Sequence, residues 1–296
     1  MRFRITHHTT YSYAESVSLS HNVVRLRPRN HGRQTCLQHE LTVAPSPIAR
    51  NQEFDYFGNH VAYFCLQSAH TQLKIVAESE VELAPSAAVD IPEGPTWEQT
   101  IQMLLSPPDE RTLRAREYCF DSPYVARSSE LADYALSSFV AGRPLLACVL
   151  DLTLRIHAEF EFLPGSTKVG TPTLDVLRMR RGVCQDFAHL QIGCLRSLGL
   201  AARYVSGYLV TTPPPGQGRL SGADVSHAWC SVYAPGVGWV DFDPTNGLIP
   251  SDAHITVAWA RDYDDVGPIK GILVGGRRQR LEVGVDVVPV SAAEVY

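Results

Sequence analysis

The chain has 296 residues, 45% of them hydrophobic, enough for one large domain or two ordinary ones around a well-buried core. A formal net charge of -5 leaves no basic field to hold nucleic acid or an anionic membrane, so neither is expected as a partner. The opening Met1-Arg2-Phe3-Arg4-Ile5 lacks the apolar stretch of a signal peptide, and no run approaches the ~18 apolar residues of a transmembrane helix. Seven cysteines occur without a CxxC pair, and HEXXH is absent. That pattern argues against a disulfide framework or a zinc knuckle and leads us to expect reduced thiols, a cytoplasmic location, and no metal or cofactor.

Residues 1–84 read as an N-terminal β-domain. Leu73, Ile75, Ala77, Val81 and Leu83 keep one parity while Lys74, Glu78, Glu80 and Glu82 keep the other, the mark of a half-buried strand. Gly58-Asn59 reads as a hairpin turn between strands over 54–57 and 60–64. His7 and His8 fall in strand-like sequence and read as structural. Residues 85–108 contain Pro85, Pro92, Pro95, Pro107 and Pro108 and read as a linker with a short helix over Trp97–Leu105.

From 109 to 296 the chain reads as a second, catalytic unit, making the whole an α+β protein. Helices are expected over 130–140, capped by Ser129, and over 145–158, with Gly142 and Pro144 between them. A loop over 160–172 precedes a short helix from Leu174, with Thr173 as its cap. The stretch 184–198 is apolar around much of its circumference, which predicts a central buried helix that Gly199 ends. Antiparallel strands follow over 202–210, 226–233 and 239–243, the first two separated by a Pro/Gly-rich segment, 211–224, expected to be a mobile loop. Leu281, Val283, Val285 and Val287 alternate as a last strand.

Chemistry concentrates in three places. Cys184 stands in the first turn of its helix, where unpaired N–H groups and the positive dipole end favour a thiolate. His227 shares a strand face with Trp229, Ser231 and Tyr233. If Tyr233 pairs with Trp239, Asp243 falls opposite Trp229 and diagonal to His227, roughly 7–8 Å away on the same face. A thiolate nucleophile, an imidazole base and an orienting carboxylate are the parts of covalent acyl transfer. Cys194 lies mid-helix and Cys230 points away from His227, so both are poorer nucleophiles. His189 is poorly placed to face Cys184, and Asp186 reads as a partner of the helix dipole.

The motifs GVCQDFAHLQ (184 at its cysteine), RYVSGY (203–208), SHAW (226–229) and GWVDFDPTN (238–246) resemble the transglutaminase-like superfamily, papain-like in fold. The N-terminal region is similar to the β-domain found before this core in bacterial transglutaminase-like proteins. Its cues are His7-x-Thr9-x-Tyr11-x-Tyr13, Leu26-Arg27-Pro28 and Asp55-Tyr56-Phe57-Gly58-Asn59. The tail Ala260-Arg261-Asp262-Tyr263-Asp264-Asp265-Val266 also looks like the group's usual ending. The resemblance implies a central buried helix on an antiparallel sheet, with Cys184 as nucleophile, His227 as base and then acid, and Asp243 as orienting acid. Asp241 is the rival for the third role. Two departures stand out. Gln185 follows the nucleophile where animal transglutaminases have tryptophan, and no DxDxDG calcium loop exists, so calcium activation is not implied.

The expected activity is attack on a peptide or isopeptide amide through a thioester, resolved by water as in a peptidase or amidase. Transglutaminase-type crosslinking or deamidation, a silent peptide-binding scaffold, and arylamine N-acetyltransferase-like chemistry are the alternatives. The Cys184 N–H is the natural oxyanion donor. Gln185 and Trp229 are the side-chain candidates at the substrate. Asp262 or Asp265 is placed by the same reading at the cleft rim, where an acid would select an amine. The β-domain is expected to narrow the cleft, help recognise a partner, or mediate a homodimer.

Overall fold

A computed structural model describes residues 1–85, 94–210 and 225–290. The expected 211–224 loop and the Pro92 part of the linker lie outside the described residues.

The chain begins with an unusually long strand, β1 (Arg2–Val24), followed by β2 (Gln34–Ala44), β3 (Ala49–Phe54), β4 (His60–Leu66) and β5 (His70–Leu83). Its odd-numbered residues Phe3, Ile5, His7, Thr9, Tyr13 and Val17 are buried, as period-2 alternation requires. Asp55 makes the β3–β4 turn: its Oδ1 accepts the N–H groups of Phe57 and Asn59, and Gly58 takes the positive φ of 72° that the turn demands.

Helices follow: α1 (Trp97–Leu105), α2 (Glu110–Ala115), α3 (Ser129–Leu136) and α4 (Leu145–Glu159). The α3 cap is Ser128 rather than Ser129, because Ser128 Oγ accepts the Leu131 N–H at 3.2 Å. The short strand β6 (Glu161–Phe162) leads through a loop to α5 (Thr173–Met179), β7 (Arg181–Gly182) and α6 (Cys184–Ser197). Thr173 opens α5 without capping it, its hydroxyl donating to the Tyr124 carbonyl.

A second sheet is built from β8 (Ala202–Leu209), β9 (Val225–Ala234), β10 (Gly238–Phe242) and β11 (His254–Ala260), ordered β10-β9-β8-β11 and fully antiparallel. The apolar faces of α6 and this sheet meet in the main core through Phe187, Leu190, Leu195, Tyr204 and Val232. Gly207 lets that sheet close, since a Cβ there would stand 2.2 Å from the Ile255 carbonyl oxygen and 2.5 Å from the Trp229 ring.

After α7 (Tyr263–Val266) the chain leaves the second unit. Strands β12 (Ile269–Gly275) and β13 (Gln279–Pro289) pair antiparallel with β1, completing a seven-stranded sheet. The expected boundary, with everything from 109 to 296 in the catalytic unit, therefore needs correction. The length of β1 is the reason. Its first half is flanked by β5 and β13, its second half by β4 and β12, so the N-terminal sheet needs the C-terminal strands to fill its edges.

The two units are hydrogen-bonded together. The side-chain amide of Gln34 bonds both the N–H and C=O of Thr256, and that of Asn59 does the same for Trp259. Both backbone positions lie on β11, the outer strand of the second sheet. Two amides of the β-domain thus serve that strand as a missing neighbour would. The Arg29 guanidinium lies 3.7 Å over the Trp259 ring on the same seam.

Candidate active site

Cys184 is the first residue of α6, and Val183 ahead of it is extended. Valine has no side-chain acceptor, so the first-turn N–H groups receive no side-chain cap from it. Asp186 turns back instead. Its Oδ2 accepts the Val183 N–H at 2.8 Å and the Thr167 hydroxyl at 2.6 Å, tying the loop before α5 to the helix start. Gly182 permits this, since a Cβ there would stand 2.8 Å from Asp186 Oδ2.

His227 arrives on β9 and Asp243 immediately after β10. The register is the one the alternation predicts, Tyr233 opposite Trp239 through to Cys230 opposite Phe242. The chain then turns, with Asp243 and Leu248 exchanging backbone hydrogen bonds of 2.8 and 3.2 Å. His227 Nε2 meets Asp243 Oδ2 at 2.7 Å, both side chains buried. Cys184 lines one cavity with the same imidazole and is its other electrostatic partner. With Nε2 engaged by Asp243, Nδ1 is the nitrogen left for the thiol.

Asp243 collects more donors than the sequence suggests. Oδ1 accepts the N–H groups of Thr245 and Asn246, and Oδ2 accepts Asn246 Nδ2 at 2.7 Å and His254 Nε2 at 2.9 Å. Burial alone would push its carboxyl up, but the hydrogen bonds from His227 and His254 outweigh it and hold the group well below the ordinary carboxylate range. Burial likewise opposes charge on His227, yet hydrogen bonds to Asp243 and Cys184 dominate and the imidazolium is pushed up to about 10. A pKa raised from 6.5 stabilises the fold fully below 6.5, and that contribution is lost as pH rises through about 10. In an NMR titration His227 should therefore stay protonated well above neutrality, and Asp243→Asn should move its midpoint down by more than one unit. A midpoint near 6.5 in the unaltered protein would contradict the geometry.

The remaining sequence candidates separate. Gln185 lines a cavity of about 330 Å³ beside Cys184 and His227. Trp229 does not. It shares His227's strand face but is fully buried, its Nε1–H donating to Asp241 at 3.0 Å, and this removes Asp241 from contention as the third catalytic residue. Asp262 is also corrected: it is completely buried, accepting the Tyr124 and Asp264 N–H groups as the cap of α7. Asp265 is held by Arg261 in a two-pronged ion pair. Neither acid is free to select an amine. Cys194 and Cys230 are fully buried, and burial pushes both thiols up. His189 is buried and driven down to about 3 by burial, its Nε2 accepting the Tyr263 N–H.

Sequence reasoning missed Asn246 and His254. Asn246 was visible within DPTN. His254 opens β11, His254–Ala260, where polar alternation stops after His254 and Thr256 and is too short to mark a strand. His227, Asp243 and His254 also place three potential metal-ligand atoms within 4.8 Å of one another, the one such group among the described residues. Each of those atoms is already committed to a hydrogen bond with another, so an ion could enter only by displacing the protons that hold the site together.

A helix-borne thiol, a strand-borne imidazole and a turn-borne carboxylate, on a helix packed against an antiparallel sheet, define a papain-like core. Residues 3–82 match the bacterial transglutaminase-like N-terminal region and residues 142–244 the transglutaminase-like superfamily. The chain belongs to the transglutaminase-like superfamily, in the form that carries this bacterial N-terminal region. It is 40% identical over 303 residues to an uncharacterized protein of Mycobacterium tuberculosis, covering 100% of this chain and 95% of that one. An uncharacterized protein of Mycobacterium leprae is 33% identical, covering 97% and 98% of the two chains. The fold matches a crystal structure of a candidate cysteine protease from Cytophaga hutchinsonii with a TM-score of 0.75 and 22% identity, over 98% of this chain and 92% of that one. A protein-glutamine gamma-glutamyltransferase of Pseudomonas aeruginosa is 28% identical over 127 residues, 42% of this chain and 19% of that protein.

Proposed function

We propose that this protein is a cysteine-dependent amidase or peptidase. The observation that carries the reading is His227 bound at Nε2 by buried Asp243 while it lines one cavity with Cys184. Cys184 Sγ attacks the amide carbonyl carbon, and the resulting oxyanion meets the uncapped N–H groups at the start of α6. His227 passes its proton to the leaving nitrogen, the C–N bond breaks, and a thioester remains. Water then attacks the thioester carbon while His227 takes its proton, releasing the acid and restoring the thiol. Asp243 keeps the imidazole in one tautomer and orientation throughout.

Water is preferred over an amine as the acceptor because the acids that would attract an amine are spent, Asp262 as a helix cap and Asp265 on Arg261. The likeness to a protein-glutamine gamma-glutamyltransferase supports amine transfer as the second reading. Incubating the protein with a peptide library, a primary amine and heavy-oxygen water separates them by mass spectrometry. The expected product is a new carboxylate carrying heavy oxygen and dependent on Cys184. Amine adducts on glutamine in place of cleaved peptides would overturn hydrolysis.

A further inference from the structure

The cavity beside Cys184 is not built by the catalytic unit alone. On β1 and β13, His7 pairs with Val285, Thr9 with Val283, and Tyr11 with Leu281. Directly paired residues share a face. That face begins deep in the main core, where Val285 and Val287 are buried against Phe3 and Ile5. It then runs out of the core and over the cavity. There Val283 and Leu281 line the space beside Cys184 but remain 53% and 52% exposed. Aliphatic side chains that continue a core face and then lie uncovered beside a nucleophile form a surface awaiting an apolar group.

The rest of the lining mixes apolar surface with the uncharged polar side chains of Thr9, Gln185, Ser206 and Ser226. Tyr204, Tyr263 and Ile269 contribute rings and aliphatic surface, and among the described residues no Asp, Glu, Lys or Arg lines the cavity. Nearby charges are spent on one another, Lys270 on Asp264 and Arg261 on Asp265. Among the β-domain side chains that line the cavity, the one able to carry a positive charge is His7. Burial, with a smaller contribution from His8, drives it down to about 4, so it is neutral at physiological pH. Its ring nitrogens are taken by the Tyr208 hydroxyl at 3.0 Å and Thr9 Oγ1 at 3.1 Å. Outside the Cys184–His227 pair itself, a charged side chain entering this space would shed its hydration and meet no opposite charge.

We propose that the cavity selects an acyl donor whose side chain next to the reacting carbonyl is uncharged and aromatic or aliphatic, and that the β-domain reads that side chain through Tyr11, Val283 and Leu281. The proposal rests on Cys184 being the nucleophile. It gives the β-domain a direct part in specificity, and a volume of about 330 Å³ suits one large side chain with its amide.

The test uses the full-length protein and three peptidyl chloromethyl ketones that differ only in the side chain next to the reactive group: Phe, Lys or Glu. Labelling is followed by intact mass and located by peptide mapping. The Phe probe should label Cys184 at least about ten-fold faster than either charged probe, the scale on which one apolar pocket contact discriminates. Val283→Gln should lower the ratio of the Phe-probe rate to the iodoacetamide rate by a similar factor, and Leu281→Gln provides the same test at a second position. Equal rates for the three probes, or a preference for a charged one, would overturn the proposal. Iodoacetamide carries no side chain and reads thiol activation separately. Slow alkylation with the Phe preference intact would sink the nucleophile reading while the pocket stands; fast alkylation with no preference would do the reverse.

Discussion

Cys184→Ala and His227→Ala should each abolish turnover about as completely as the double variant does. The thiol and imidazole act as a single unit. Without the thiol there is no atom to carry the acyl group, and without the imidazole the leaving nitrogen departs unprotonated. Losses on the order of 10⁴-fold or more are expected for either change, with little added by the second, because residues of one catalytic unit are strongly non-additive. Whatever cleavage survives would come from substrate positioning and the N–H groups at the start of α6. The cycle is read from initial rates on a peptide found by the library experiment, with thermal melts to confirm that each variant folds. His227→Ala adds a readout independent of any substrate. Cys184 should then alkylate no faster than an exposed free thiol, since the hydrogen bond and charge shared with His227 are gone. Two losses that multiplied would mean that the residues act in separate steps, and the proposed mechanism would fail.

Much of this site could be read before any coordinates because it is made of local patterns. The helix start at Cys184 follows from an apolar run behind a glycine. The approach of His227 to Asp243 follows from strand alternation and the short loop between β9 and β10, and the observed pairing has the predicted register. What escaped reading depended on depth and on distant partners. Parity placed Trp229 on His227's face, but it could not show that Gly207 opens a slot in which the indole lies fully buried and turned to Asp241. Asp262 stood in an acidic run, a pattern that usually means solvated surface, and only the short helix α7 explains why it is inside. The last strand was legible as a strand, but alternation carries no address, and nothing local says that β13 pairs with the strand that opens the chain. His7 read as structural, and its hydrogen bonds to Tyr208 and Thr9 fit that reading. It also stands at the wall of the cavity, because the strand that returns to β1 passes the mouth of the catalytic cleft.

Asp243→Ala should be the most damaging single change for stability and activity together. The carboxylate accepts five hydrogen bonds: from His227, His254, Asn246 Nδ2 and the N–H groups of Thr245 and Asn246. It is fully buried, so water cannot easily replace it. Removing one partner of a buried charged pair typically costs about 3–5 kcal/mol, and two buried histidines lose their partner here. A drop in Tm of roughly 10 °C corresponds to that loss for a chain of this size. Asp243→Asn separates the two effects. Its Oδ1 can still accept the turn N–H groups, and its Nδ2 can donate where the carboxylate accepted, so more of the stability survives. That reversal requires His227 to accept at Nε2 and therefore to carry its proton on Nδ1, the nitrogen that must take the proton from Cys184. Activity should fall by about 10⁴-fold, as expected when a triad imidazole is locked in the wrong tautomer. The acid limb of stability supplies a second check. A carboxyl held below its ordinary value stabilises the fold fully above about pH 4 and loses that contribution as pH falls through its folded pKa. Urea melts at a series of pH values between neutrality and strong acid should therefore show a shallower loss for Asp243→Asn than for the unaltered protein. An Asn variant that kept both its turnover and the original acid slope would show that Asp243 neither orients His227 nor bears the charge on which that orientation depends.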